Sequence, residues 1–247
     1  MSKRDRWEQL KSWFSLLNEA GKRFSTPPRH NDLVPRFDAA EADLVPGQRI
    51  RVTQQHPWGV MVEIPGHEGI STPALRLRPW RTEDAVALVA THRDPLLRRW
   101  LTTSLVSDTE ARRWIDDQSE GWATGVRFSF AILECRGKNG DAGRPVGHIA
   151  VTATDSSKAL ATVGYWTSAE VRGRGIAGRA LEVVSRWALG SQRIMPLTRL
   201  DLLHAVDNHA SCRVAGKCRY ALRSILPAQP PAFPHEGHLH VRINSDA

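Results

Sequence analysis

Along 5–20, Trp7, Leu10, Trp13, Phe14 and Leu17 fall on one helical face with charged residues between them. That spacing predicts an amphipathic helix. Over 24–37, Pro27, Pro28 and Pro35 stand among polar residues and mark a linker. Strand-like alternation takes over at 46–70, where Ile50 and Val52 answer Val60, Val62 and Ile64 across a turn holding Pro57 and Gly59. This predicts a β-hairpin.

From residue 73 the pattern becomes regular. A strand over Leu75 to Trp80 feeds a helix that starts near Asp84 and runs through Ala90. Ser107, followed by Glu110, makes a capping box for a second helix that carries Ala111, Trp114 and Ile115 toward Trp122. Strands are expected over Phe128 to Glu134, Val146 to Thr152 and Ala161 to Thr167. A helix over Ile176 to Leu189 follows, with Ala177, Leu181, Val184, Trp187 and Ala188 on one face. Leu200 to Val206 reads as a strand, Asn208 to Cys218 as a short helix, and Tyr220 to Leu226 with His238 to Ile243 as a closing pair. Alternating strands and helices that end in a hairpin imply a mixed α/β sheet with helices on both faces. The earlier hairpin, with its Pro46-Gly47 lead and Gly-Val-Met-Val-Glu-Ile run, resembles the opening strands of an OB-fold repeat. About 30 residues are too few for that barrel, so a plain hairpin lying against the main domain is expected.

The 247 residues suffice for one substantial core plus an appendage, and 41% hydrophobic with 24% charged residues describes a folding chain. A formal charge of +8 favours polyanions such as RNA, the ribosome or a phosphorylated cofactor without choosing among them. Cys135, Cys212 and Cys218 lack zinc-site spacing, and with no leader or long apolar run a cytoplasmic protein without membrane contact is expected. Cys212 and Cys218 point to different faces of their helix, so they are poor disulfide partners.

The segment Gly164-Tyr165-Trp166-Thr167-Ser168-Ala169-Glu170-Val171-Arg172-Gly173-Arg174-Gly175-Ile176-Ala177-Gly178 carries the chemistry. A strand stops, a glycine-rich turn follows, and a helix begins. Glycines admit positive φ and close approach of an anion, and the free amides of a helix's first turn point at it. Arg172, Arg174 and Arg179 add charge suited to a pyrophosphate or 3′-phosphate. The spacing matches neither a dinucleotide-binding turn nor a P-loop.

Arg172-x-x-Gly175-x-Ala177 fits the Arg/Gln-x-x-Gly-x-Gly/Ala signature of the GNAT acetyltransferase superfamily. Gly164-Tyr165-Trp166 before it, and Asn208-x-x-Ser211-x-x-Val214-x-x-Lys217 after the next strand, resemble the RimJ/RimL branch of ribosomal-protein acetyltransferases. The likeness spans roughly 73–245. It implies a GNAT-type, mostly antiparallel sheet of six to seven strands with helices on both faces, over 73–247. Residues 1–70 then form an extension of helix, linker and hairpin.

The resemblance also implies acetyl-CoA as donor and an amine acceptor, either a protein N-terminus or a small amine, antibiotics included. The strand from Val163 to Thr167 is expected to pair with the pantetheine arm. Amides from Arg172 through Gly173, Arg174, Gly175, Ile176 and Ala177 to Gly178 are expected to hold the pyrophosphate. An amide near Tyr165 or Trp166 is expected to hold the oxyanion. Asn208 is placed against the cofactor, or serves as a helix cap.

The superfamily's usual tyrosine is Ala215 here, so the resemblance gives the thiolate's proton to Ser211, with a helix-surface serine bonding its own backbone as the other reading. Its usual glutamate is Thr162, which leaves His204 as the first candidate base, with a buried histidine as the other reading, and Glu134 in reserve. A missing base favours an α-amine acceptor, whose pKa of about 7.7–8.0 leaves a useful neutral fraction. Arg219 stands where the family has a helix-ending glycine, a cost of about 1 kcal/mol if φ is positive there. His235, His238 and His240 look metal-like but lack a third ligand on a fixed scaffold, so no metal is expected, and the strand is expected to line the acceptor cleft. A ribosome- or RNA-tethered binding module without efficient turnover is the competing class. Monomer and homodimer both stay open.

Overall fold

The computed structural model describes residues 51–56, 59–64, 73–136, 141–155, 159–191, 196–230 and 233–244. The predicted helix over 5–20 and the linker over 24–37 lie outside them. The described strands form one sheet of nine: β1 (Arg51–His56), β2 (Gly59–Ile64), β3 (Leu75–Pro79), β4 (Arg127–Arg136), β5 (Asp141–Asp155), β6 (Leu160–Thr167), β7 (Arg199–Ala205), β8 (Ala221–Leu226) and β9 (Gly237–Ile243). Their order is β1-β2-β3-β4-β5-β6-β7-β9-β8. Only β6 and β7 run parallel among the described strands.

The seven strands β3 to β9 are the sheet expected for the main domain. The hairpin of β1 and β2 extends that sheet rather than lying over it, because Val62 and Ile64 pair with Leu77 and Leu75. Backbone groups at the free edge of β3 gain partners in this way.

Five helices are described: α1 (Ala85–His92), α2 (Pro95–Trp100), α3 (Asp108–Thr124), α4 (Ile176–Arg186) and α5 (His209–Lys217). The capping box of α3 forms as predicted, with Glu110 N at 3.3 Å from Ser107 Oγ and Ser107 N at 3.2 Å from Glu110 Oε2. Gly125, at φ 68°, closes that helix in a left-handed turn. Helix α2 has no counterpart in the periodicity, since six residues are too few for a repeat. Its start is fixed by Asp94, which accepts from Leu96 N at 3.0 Å, and by Pro95 at the first helical position.

Strand alternation sends two sets of side chains to two cores. Phe128, Phe130 and Ile132 of β4, Ile149 and Val151 of β5, and Ala161 and Val163 of β6 meet Ile176, Ala180, Leu181 and Val184 of α4. Ala131, Leu133 and Trp166 face Ala85 and Leu88 of α1 and Ala111 and Ile115 of α3. Each fully buried Leu, Ile, Val or Phe contributes about 1.5–3 kcal/mol, so α4 is held mainly by its apolar face.

Candidate active site

Strands β6 and β7 pair from Leu160 with Arg199 to Val163 with Leu202, and no further. Beyond that point β6 keeps its partner β5 through Thr167, and β7 keeps β9 through Ala205. The two parallel strands therefore part, and the β7-facing edge of Gly164 to Thr167 is left without a described strand. An extended chain of the right length can pair there.

At the end of β6 the backbone makes a 3-10 turn over Ala169–Val171 and enters α4 through two left-handed glycines, Gly173 at φ 76° and Gly175 at φ 72°. Gly175 is the N-cap and supplies no side chain. The first helical bond is Arg179 N to Gly175 O, 3.1 Å, so the amides of Ile176, Ala177 and Gly178 have no helical acceptor. Uncapped amides and the positive end of the helix dipole face one point, as anion binding requires.

The three arginines act as struts. Arg172 bonds to the Asp94 carboxylate and lies 3.4 Å from the Thr167 carbonyl oxygen. Arg174 pairs with Glu134 at 2.6 Å, and Arg179 donates to the Pro73 carbonyl at 2.7 Å. The guanidinium groups hold the turn to β4, to α2 and to the segment ahead of β3, and those of Arg172 and Arg174 stay partly exposed beside the main-chain NH groups. Glu134, the reserve candidate for the base, lies buried on the side of this glycine-rich turn against Arg174.

Tyr165 and Trp166 point to opposite faces of β6. Trp166 is buried and stacks on His148, with ring centroids 5.7 Å apart, and leans on Trp80 and His92, so only its backbone is available to a cofactor. Tyr165 packs on the α4 side. Burial raises its phenol above the ordinary value, the nearby Ser211 hydroxyl opposes the rise, and the buried phenol oxygen makes no hydrogen bond among the described residues. The fold brings these two residues together although they lie on different elements.

Asn208 caps α5 by accepting from Ser211 N at 3.1 Å. The cap fixes the first turn of the helix and with it Ser211. His204, near the end of β7, lies in a histidine cluster with His238 and His240 of β9. Burial lowers its imidazole to about 4, with a hydrogen bond to the backbone of Ala205 opposing, so it holds a proton weakly near neutrality. The tryptophans Trp80 and Trp122 are core residues. Asp94 is the site residue that the sequence pattern missed, and the Asp-Pro pair opening α2 was its signal.

Residues 74–221 match the family model described as the acetyltransferase (GNAT) domain. Solved structures of the same fold include RimL, the ribosomal L7/L12 alpha-N-protein acetyltransferase in complex with coenzyme A. It is 22% identical, with a TM-score of 0.59, over 75% of this chain and 99% of that one. RimJ of Mycobacterium smegmatis in complex with a coenzyme A disulfide is 19% identical, with a TM-score of 0.59, over 80% and 86%. The ribosomal-protein-S5-alanine acetyltransferase of Vibrio fischeri is 19% identical, with a TM-score of 0.60, over 70% and 94%. No curated protein matches the chain significantly. Among the described residues no helix is long and apolar enough to cross a membrane.

Proposed function

We infer the acceptor from a fixed premise: the chain belongs to the GNAT acetyltransferase family, an N-acetyltransferase with acetyl-CoA as donor. The acceptor we assign is a protein N-terminal α-amine, as the name of RimL, an alpha-N-protein acetyltransferase, states for that protein. The observation that carries the cofactor half is the parting of β6 from β7 beyond Val163 and Leu202, directly ahead of the uncapped amides of α4. Pantetheine lies along the open edge of β6, and the diphosphate meets the NH groups of Gly173 to Gly178.

The amine nitrogen attacks the thioester carbonyl, and the C–O π electrons move to oxygen, where an amide near Tyr165 or Trp166 holds the charge. Collapse breaks the C–S bond, and the thiolate takes a proton from Ser211, which Tyr165 adjoins and which regains one from the water that receives the nitrogen's proton. The nitrogen's surplus proton goes to water. An α-amine supports this route because about a tenth of it is neutral at pH 7, against far below one per cent of a lysine. Thr162, where the family has glutamate, offers no proton acceptor.

Residues 1–70, as an extension ahead of the transferase unit in a basic chain, fit contact with a ribosomal or RNA surface. The test compares acetylation of a peptide with a free N-terminus against an N-blocked lysine peptide. Faster reaction of the first is expected, with kcat/KM rising with pH up to about 8. Faster lysine modification overturns the assignment.

A further inference from the structure

We propose that His204, Cys212, His238 and His240 form a tetrahedral transition-metal site, zinc(II) foremost, that ties α5 to the β7–β9 ladder. One ligating atom from each of the four lies within 4.8 Å of all the others. Cys212 Sγ is 3.8 Å from His240 Nε2. A tetrahedral zinc with bonds of about 2.0–2.1 Å to nitrogen and 2.3 Å to sulfur has ligand–ligand edges of roughly 3.3–3.7 Å. Small side-chain rotations close the difference.

The register of the sheet builds three corners. His204 lies directly opposite His238, and His240 lies opposite Leu202, two residues along the same face. Ring centroids of the three imidazoles are 5.1–5.9 Å apart. Helix α5 folds back over that face and supplies the fourth corner from its first turn. His235, which the sequence grouped with this strand, is not part of the cluster.

Two imidazoles are already oriented as ligands. His204 Nδ1 lies 2.9 Å from the Ala205 carbonyl and His240 Nδ1 3.2 Å from the Tyr220 carbonyl. Each Nδ1–H donates to its carbonyl, which leaves the Nε2 lone pair for the centre, the outer-shell arrangement that metal-bound histidines use. His204 Nε2 and His238 Nδ1 are buried with no hydrogen-bond partner among the described residues. The Cys212 thiol meets His240 Nε2, so the cost falls on the orphaned nitrogens of His204 and His238, and a cation at the centre satisfies them together with the other two ligands.

Three nitrogens and one sulfur without a carboxylate oppose magnesium and calcium and suit zinc, with cobalt(II) as a spectroscopic substitute. On binding, the Cys212 thiol gives its proton to solvent and the thiolate coordinates. Four protein ligands fill the shell, so the role is to hold the first turn of α5, which carries Ser211 behind its Asn208 cap, on the sheet.

The experiment uses the full chain, stripped with a chelator, then titrated with zinc against a chromophoric competitor and separately with cobalt(II). One zinc per chain and a thiolate–cobalt charge-transfer band are expected. Cys212→Ser should abolish the band. Cys212→Ser and His238→Gln should each weaken zinc by more than the roughly 10- to 100-fold that loss of an orienting partner alone costs. Cys218→Ser, at a thiol that instead donates to the Gly178 carbonyl, should keep both signals. A folded chain that takes up coenzyme A but no metal overturns the site and leaves the transferase reading standing. Unchanged zinc affinity in Cys212→Ser, or equal loss in Cys218→Ser, also overturns it.

Discussion

Arg172 and Asp94 are bonded to each other across 78 positions of sequence, and the same Asp94 carboxylate caps α2. The glycine-rich turn ahead of α4 is therefore fastened to α2 by the residue that the family signature begins with. Removing either partner should loosen the turn, and the effects should overlap because they break one bond. We expect Arg172→Ala and Asp94→Ala each to weaken coenzyme A binding, with a coupling of at least about 0.5 kcal/mol in a double-mutant cycle read by calorimetry. Additive losses would show that Arg172 meets the cofactor independently of Asp94.

Gly175 tests the amides themselves. A Cβ there meets open space, but the φ of 72° strains any L side chain by about 1–2 kcal/mol. Gly175→Val should reduce coenzyme A affinity by at least about 10-fold, the equivalent of roughly 1.4 kcal/mol, while circular dichroism shows a folded chain. Intact uptake would remove the turn from the binding site.

Ser211 lies beside Tyr165 and next to the capped start of α5. If Ser211 protonates the departing thiolate, Ser211→Ala should lower kcat by about 100-fold, the lower end for general acid catalysis, and leave the KM for acetyl-CoA nearly unchanged. A rise in KM at constant kcat would instead make it a binding residue.

The end of α5 carries two correctable costs. Arg219 has φ 59°, the left-handed conformation that the family's glycine adopts without strain, and Gly216 sits inside the helix with open space where a Cβ would stand. Arg219→Gly and Gly216→Ala should each stabilise the protein by about 1 kcal/mol. A rise of about 2–4 °C in Tm for each, by calorimetric scan, is the expected reading.

His148 accepts a hydrogen bond at Nδ1 from Trp80 Nε1, 3.0 Å, in a buried aromatic cluster with Trp114 and Trp166. Burial holds it well below the ordinary imidazole value, with the charges of Arg127 and His92 adding to the effect. The native state refuses a proton that the unfolded chain takes up below about pH 6.5. Stability from this residue is therefore complete above that pH and declines beneath it, by up to about 1.4 kcal/mol per pH unit. Denaturant titrations of His148→Gln, whose amide oxygen can still accept from Trp80, should show a flatter decline between about pH 6.5 and 5.

The glycine-rich turn into α4, the α3 capping box and the succession of strands were readable in the chain because each is written in adjacent residues. A glycine–arginine turn between a strand and a helix, or Ser107 three places before Glu110, needs no partner from elsewhere. Helix α2 escaped because its six residues show no period, and only its Asp-Pro cap betrays it. The side-chain roles at the site were decided by tertiary structure. Arg172 holds Asp94, Glu134 holds Arg174, and Trp166 fills a core. His238 and His240 stood out in the sequence, but their partners did not, because the β7–β9 register sets His204 opposite His238, and the return of α5 brings Cys212 to His240. Local spacing fixes backbone conformation, whereas which side chains converge depends on strand pairing and helix docking between residues far apart in the chain.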